Sequence, residues 1–549
     1  MNKAYFFIAT LLFGFSSFAQ TVRGVVLDAN NDALPGCNVY VLELKQGVIS
    51  DIDGYYELNL AEFGEYSLEF SFMGYQKQIK NISLTSSKKT ISLNVVLKEE
   101  LSYLEEVVVT GYTVERRRDL TGSIVKVPAK EIMDIPTPSF EAALQGKAAG
   151  VQITQGSGLA GSSSIVRIRG IASISAGGDP LYVVDGIPIT QDYFLKGNSG
   201  GMNNNPLATL NPNDIESVEI LKDAAATGIY GSRGANGVIL ITTKAAKKKG
   251  LEFDFTSRVG FARPTALPKM VDSDTYLQLY QEAWENDGNV GLAPLPGGLS
   301  WEEAQGNNTD WVDQTTGLGV KHAYSYSVKY GSEKIKSYAN ISYDDNESYL
   351  LGNSYERLSG RLNLSYDVTK DLTISTNSSV SRGVNNRVDA AWSGGLGQAM
   401  STALPIYPIM INDSTYFQTG SNPVRTRNLK KWRNLENRTI VGFTALYRLN
   451  EKLSLKGSTS RDMMNLYEDI YVPQELNQYF DHAGEANRYY TYVDNYNHNF
   501  IATYNTEDKK GNNISLLLGN EYQKSQNQYS SYNSIDAQGP FYEEDQDIN

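Results

Sequence analysis

The sequence predicts a mainly β protein in three successive parts: an antiparallel β-sandwich, a mixed α/β unit, and the antiparallel strands of a membrane β-barrel. Three observations carry this reading. Short alternating segments broken by turns run from Thr21 to about Lys98. Glycine-punctuated helix and strand patterns fill Leu120 to Lys249, and strict period-two alternation follows Leu251.

The compartment comes first. Lys3, an apolar run from Tyr5 to Phe15, and Ser17-Phe18-Ala19 before Gln20 form a secretory signal peptide over residues 1–19. The position after the cleavage site is not cysteine, which argues against a lipid anchor there. Later residues offer no run of the ~20 apolar side chains that a membrane helix needs. Membrane entry therefore requires a closed barrel, where every backbone group finds a partner. The 36 tyrosines and 48 glycines suit many half-polar strands, and the single Cys37 reads as a small buried residue without a disulfide. A net charge of −13 argues against a nucleic-acid partner.

In the first part, Val22–Leu27, Asn38–Leu42, Tyr55–Leu58, Tyr66–Phe72 and Ile91–Leu97 read as strands between turns such as Asp51-Ile-Asp-Gly54. Gly24-Val-Val, Leu34-Pro-Gly36, Asp53-Gly-Tyr-Tyr56 and Phe72-Met-Gly-Tyr75 resemble the carboxypeptidase-regulatory-like domain. That resemblance implies a sandwich and no chemistry. Next, Leu104-Glu-Glu-Val-Val-Val-Thr-Gly-Tyr112 is an extended, β-prone peptide ahead of the charged run Glu115–Asp119. It reads either as a strand that another protein's sheet edge captures or as an interdomain linker.

In the α/β part, Ser139–Gln145 reads as a short helix. Val151–Thr154, Ile165–Gly170 and Leu181–Ile189 read as strands, and Asn213–Lys222 leads into Asp223–Gly234 and then Gly237–Lys244. Beyond Leu251, Tyr324, Tyr326, Val328 and Tyr330 alternate with Ser325, Ser327 and Lys329. Leu362, Leu364 and Tyr366 likewise oppose Arg361, Asn363 and Ser365, and Phe443, Tyr447, Phe500 and Tyr504 continue the pattern. Strands of ~10 residues, apolar outward and polar inward, are the signature of an outer-membrane barrel.

This order of parts resembles the SusC/RagA-like branch of the TonB-dependent outer-membrane transporters. Leu104 to Tyr112 matches its TonB box, which makes Glu105, Glu106, Val107, Val108, Val109, Thr110, Gly111 and Tyr112 the expected TonB contacts. Gln145–Gln152, Arg167-Ile-Arg-Gly170, Pro180–Gly186 and Ile215–Ile239 match its plug. The plug-motif residues singled out are Arg167, Arg169, Gly170, Asp185, Gly186, Gly231, Arg233 and Gly234. The resemblance implies domains at 1–19 (signal peptide), 20–98 (sandwich), 99–118 (box and linker), 119–249 (plug) and 250–549 (barrel). It implies import of glycans or oligopeptides across the outer membrane of a Gram-negative-type cell. The expected partners are periplasmic TonB, which pairs with the box, a SusD-like surface lipoprotein, and outer-membrane lipid. It implies no cofactor and no catalysis. The competing readings are a surface receptor or adhesin that does not transport and an exported enzyme. Such barrels have about 22 strands. The residues after Leu251 offer about half that number at ~10 per strand, so an incomplete barrel and a longer parent protein are expected.

Several signals imitate chemistry. Gly156-Ser-Gly-Leu-Ala-Gly161 matches a dinucleotide fingerprint, but the following Ser162–Ile168 reads as strand where that site needs a helix. His482, Glu485 and His498 imitate zinc spacing without rigid support. Asp28–Asp32 lacks the glycine and glutamate of a calcium loop, and Asp344-Asp-Asn-Glu347 reads as a solvated acidic turn. Lys247-Lys-Lys249 marks the junction between plug and barrel. Arg167 and Arg169 alternate on one face, with Asp185 and Glu216 as candidate partners, as a lock to the barrel wall or as static ion pairs. Nothing in the sequence names a substrate-binding residue.

Overall fold

The computed structural model describes residues 20–28, 31–72, 75, 77–85, 90–97, 107–110, 113–116, 123–133, 140–155, 158–171, 178–189, 205, 207–389, 395–477, 481–507 and 513–544. The expected signal peptide, and Leu104–Glu106 and Gly111-Tyr112 of the expected box, lie outside these residues. The chain divides into two compact units, residues 1–107 with 116–118, and residues 108–115 with 119–549.

In the first unit, alternation along Gln20–Leu27 and Tyr55–Leu60 buries Val22, Val26, Tyr56, Leu58 and Leu60. These two strands pair antiparallel. Asn38–Val41, Gln46–Ile49, Gly64–Ser71 and Gln78–Leu84 make an antiparallel sheet of their own. Val39, Val41, Leu68 and Phe70 share one core with the residues of the first sheet. Phe70 meets Tyr56 edge-on at 5.5 Å, and burying such a ring stabilises by roughly 1.5–3 kcal/mol. The sheets are not wholly antiparallel: Thr90–Ser92 and Val95–Val96 run parallel to Gln20–Leu27. The chain returns from the second sheet to the first and enters beside that strand in the same direction.

Cys37 is fully buried in this core. Burial pushes its thiol up to about 11, so at pH 8 almost no thiolate exists to react. Native protein is therefore expected to resist maleimide at Cys37 and to label after denaturation in urea, read by peptide mass. Fast labelling of Cys37 in the native state would contradict its placement.

The second unit has an inner α/β part and a wall. In the inner part, five strands lie in the order Ile124–Pro128, Ile215–Leu221, Val238–Thr243, Leu181–Val184, Ile187–Pro188. Asp185 and Gly186 make the two-residue turn between the last two, at φ of 49° and 84°. A Gly second in such a turn suits its left-handed backbone. A second hairpin pairs Val151–Gln155 with Ser164–Ile168. Phe140, Leu144, Ile153, Val166, Tyr182, Ile220 and Ile241 fill the core between them.

The wall is one antiparallel sheet of nine strands: Gly250–Ala262, Gly319–Gly331, Ile335–Glu347, Ser354–Asp367, Leu372–Asn386, Lys431–Arg448, Leu453–Pro473, Gly484–Glu507 and Asn513–Ile535. It is open, with the first and ninth strands as its edges. Its alternation is inverted relative to a water-soluble sheet. Leu362 is 47 % exposed and Phe443 53 %, while Arg361 and Asn363 are each 7 % exposed. A sandwich would bury the apolar set, so this polarity identifies a face built for lipid.

Three connections at one end of the wall are short, at residues 332–334, 368–371 and 449–452. At the other end, residues 263–318 and 387–430 are long and carry helices. Asp272, Ser300, Asp310 and Asn422 cap four of these helices through their side chains. Leu277, Trp311, Ile406, Tyr407 and Phe417 give this loop cluster its own core.

Candidate functional site

The inward positions of Ser354–Asp367 carry Arg357, Ser359, Arg361 and Asn363, all buried. The inner part presents to them one turn and one cap. Asn211 starts a short 3-10 turn by accepting from the Asn213 N–H at 2.9 Å, which sets Asp214 just before Ile215–Leu221. The Asp185-Gly186 turn brings up a second carboxylate, held by the Thr243 N–H at 2.9 Å and the Thr243 hydroxyl at 2.6 Å.

Arg361 bridges the two. Its Nε lies 3.3 Å from Asp214 Oδ2 and its Nη1 3.5 Å from Asp185 Oδ2. Tyr338, on the neighbouring wall strand, donates its hydroxyl to Asp214 Oδ1 at 2.8 Å. Burial pushes the Asp214 carboxyl above the usual range, and Arg361 and Tyr338 oppose that push. Arg357 donates from Nη1 to the Ala208 and Leu210 carbonyls at 2.6 and 2.9 Å, and from Nη2 to Asp344 at 2.6 Å. Asn363 donates to the Thr243 hydroxyl and the Lys244 carbonyl at 2.7 and 2.9 Å. Asn211 donates to Ser342 at 2.8 Å. The seam is thus a discrete polar set on the wall's third and fourth strands.

Apolar contact completes it. Ile440 of the wall joins the inner core, and Gly442 gives Ile187 room: a Cβ there would stand 2.8 Å from Ile187 Cδ1.

The route into the inner part is equally specific. Ile124–Pro128 is an edge strand paired along its length with Ile215–Leu221, the strand that begins beside Asp214. Where it enters, the Ser123 N–H donates to Asp223 at 2.7 Å, and Arg169 pairs with the same carboxylate. The Ser123 N–H and then Arg169 hold the Asp223 carboxyl below the usual range. Ahead of this point Val107–Thr110 is a strand, paired with Thr113–Arg116 in a two-stranded sheet. Among the described residues one edge of Val107–Thr110 is unpaired.

The expected arginine partners differ from those observed. Arg167 pairs with Asp179 at 2.6 Å, within the inner part. Arg169 lies past the end of its strand at φ 59°, which turns it toward Asp223. Glu216 pairs with Lys247, and Lys249 with Glu333 at 2.8 Å. Only Asp185 of the expected set reaches Arg361, and Arg233 reaches the ninth wall strand through Glu521 at 3.0 Å. Gly170, Gly186 and Gly231 take left-handed φ of 92°, 84° and 61°, and the Thr227 carbonyl blocks a side chain at Gly234.

The imitations resolve as local structure. Ser164–Ile168 is a strand, as its sequence indicates, so the glycine motif lacks its helix. His482 bonds its own loop at Gly484 O, and His498 stacks on Tyr522 at 6.1 Å. Asp28 closes a turn through the Asp32 N–H. Asp344 is no loop residue: Ile335–Glu347 is a wall strand, and Asp344 faces Arg357.

Comparison with known proteins follows the same order of parts. The CarboxypepD_reg-like domain family matches residues 22–109, and the TonB-dependent Receptor Plug Domain family matches 116–238. The TonB-dependent receptor SusC of Bacteroides thetaiotaomicron is 31 % identical over 75 % of this chain and 39 % of that protein. The chain belongs to the SusC/RagA-like TonB-dependent receptors. TonB-dependent receptor P26 of Formosa agariphila is also 31 % identical, over 93 % of this chain and 50 % of that protein. In fold, the RagAB peptide importer in its open-open state aligns with a TM-score of 0.68 at 23 % identity, over 78 % of this chain and 50 % of that one. The receptor chain thus spans half or less of the length of these relatives. Its inner α/β part is the plug.

Sequence reasoning missed Asp214, Tyr338, Arg357 and Glu521. One signal was available: an arginine at an inward position of a lipid-facing strand has to find an acid or carbonyl inside. Arg361 carried that signal, though its partner lies 147 residues away.

Proposed function

We propose that this receptor imports large nutrients, glycans or oligopeptides, across an outer membrane, driven by force applied to Leu104–Tyr112. The box and sandwich then face the periplasm with the short turns, and the long loops face outward. A TonB-type protein adds a strand to the box, and main-chain hydrogen bonds carry the load. A SusD-like lipoprotein delivers cargo at the loop end, and nothing in the substrate is cleaved.

The observation that supports this most is the force route. The chain leaving the box enters Ile124–Pro128, whose ladder partner Ile215–Leu221 starts one residue after Asp214, which Arg361 holds. Pulling at Ser123 loads the Asp223 clamp first, then that ladder, then the seam. The likeness to SusC supports the same reading.

Deleting Glu106–Tyr112 from the full-length protein is expected to abolish uptake of its cargo and leave surface binding unchanged. Uptake that survives the deletion would refute the box assignment.

A further inference from the structure

We infer that an open hollow on the lipid-facing side of the wall, where it meets the long loops, binds the phosphoethanolamine headgroup of a membrane lipid. The hollow has about 400 Å³ of room and is lined mainly by side chains of the third to sixth wall strands. Its level follows from the ladder. Tyr343, Leu358 and Arg382 stand side by side in one row across three strands. Leu358 alternates with the inward Arg357 and Ser359, so the row faces outward. From that row to Tyr366, beside the short turns, the fourth strand runs about 26 Å at ~3.3 Å per residue, close to the height of a barrel's apolar band. Leu362, Leu364 and Val380 lie within that band and are exposed. Tyr343 thus belongs to the aromatic girdle on the long-loop side, and the charges just beyond it lie at headgroup depth.

Those charges have both signs and are not spent on one another. Arg382, Arg433 and Glu356 line the hollow, and among the described residues none of the three has an ion-pair partner. Arg382 is exposed, and Glu356 and Arg433 are half-buried. Tyr542 closes one side, its ring centre 4.8 Å from Arg433 Cζ. Asp345 stands directly opposite Glu356 in the ladder, so two carboxylates share one edge of the site. Like charges opposed in this way destabilise a strand pair, and a bound cation beside them offsets that cost.

The chemistry of the occupant follows. Guanidinium groups match the oxygens of a phosphate. A bare phosphate would also meet the two carboxylates as like charge. A phosphate with an ammonium two carbons away sets its negative end on the arginines and its positive end at Glu356. Leu358, Val384 and the Tyr343 ring supply an apolar floor that continues into the exposed band. A soluble zwitterion gains nothing from that floor, whereas a lipid lays the start of its acyl chains along it. That the headgroup belongs to the outer leaflet rests on the import reading; that it belongs to a lipid does not.

The test takes full-length receptor in dodecyl maltoside and exchanges it into mixed micelles. These hold equal amounts of phosphatidylethanolamine, phosphatidylglycerol and phosphatidylcholine, and native mass spectrometry counts the lipid retained. Phosphatidylethanolamine is expected to exceed each of the others on the order of tenfold. Phosphatidylglycerol lacks the ammonium, and the ammonium of phosphatidylcholine has no N–H for Glu356. Arg382→Gln with Arg433→Gln is expected to remove the excess. Glu356→Gln is expected to raise phosphatidylglycerol to the level of phosphatidylethanolamine, a gain that misfolding cannot produce. Equal retention of the three lipids by the wild-type receptor overturns the proposal, as does an excess that survives either set of substitutions. A receptor that keeps this lipid preference but imports nothing would refute the transport reading and leave this site standing.

Discussion

Replacing Arg361 with methionine is expected to loosen the plug at its seam by about 3–5 kcal/mol, the usual effect of removing one partner of a buried ion pair. The size follows from what remains. Asp214 stays buried with the partly buried Asp185 nearby, and Asp214 keeps only Tyr338 as a described hydrogen-bond donor to its carboxylate. Methionine fills similar volume, so lost packing contributes little. Adding Asp214→Asn to Arg361→Met removes one stranded charge and is expected to recover part of the loss, which a double-mutant cycle isolates. Hydrogen exchange over residues 212–216 reads this directly. At about 1.4 kcal/mol per tenfold, protection should fall by roughly two to three and a half orders of magnitude. Unchanged protection would mean that Arg361 is a bystander.

Arg357→Met is expected to be as damaging, by a different route. Arg357 ties the plug through two main-chain carbonyls, Ala208 and Leu210, and balances Asp344 on its own wall. Its loss orphans both carbonyls and leaves Asp344, whose side chain is only 14 % exposed, without its cation, about 3–5 kcal/mol at most for the charge alone. Asp214→Asn should not rescue it, because Asp214 is not the acid it leaves unpaired. Asp344→Asn should rescue it in part. Exchange at 207–211 is the readout, and rescue by Asp214→Asn would show that the two arginines act as one unit. By contrast the half-exposed Arg233–Glu521 pair is worth about 0–1 kcal/mol.

The three parts were legible because each follows a local period. Alternation with turns marked the sandwich, and inverted alternation marked the wall at Leu362 and Phe443. Asp185-Gly186 marked its hairpin by turn chemistry alone. What escaped depends on distant chain. The parallel return of Thr90–Ser92 is a choice of sheet edge that short segments do not encode. Asp344–Glu347 looked like a turn because consecutive acids are usually solvated, yet Arg357 makes Asp344 an inward strand residue. The arginine motif misled for a backbone reason: at φ 59° Arg169 leaves the strand's alternation, so its face was misjudged. The seam combines residues from about 185 to 363, and no local pattern announces such a set. Under the proposed reading the box is a strand for capture, and the ladder of Ile124–Pro128 with Ile215–Leu221, which begins next to Asp214, lies downstream of it.

The central claim is that import requires the plug to part from the wall at this seam. A cysteine pair at Ile187 and Gly442 tests it most directly, since a Cβ on Gly442 would lie 3.5 Å from Ile187 Cγ1 and the native Cys37 is buried away in the sandwich core. In cells carrying the full-length double-cysteine receptor, oxidation is expected to stop cargo uptake, reduction to restore it, and surface binding to stay constant throughout. Undiminished uptake with the disulfide verified as closed would contradict the account.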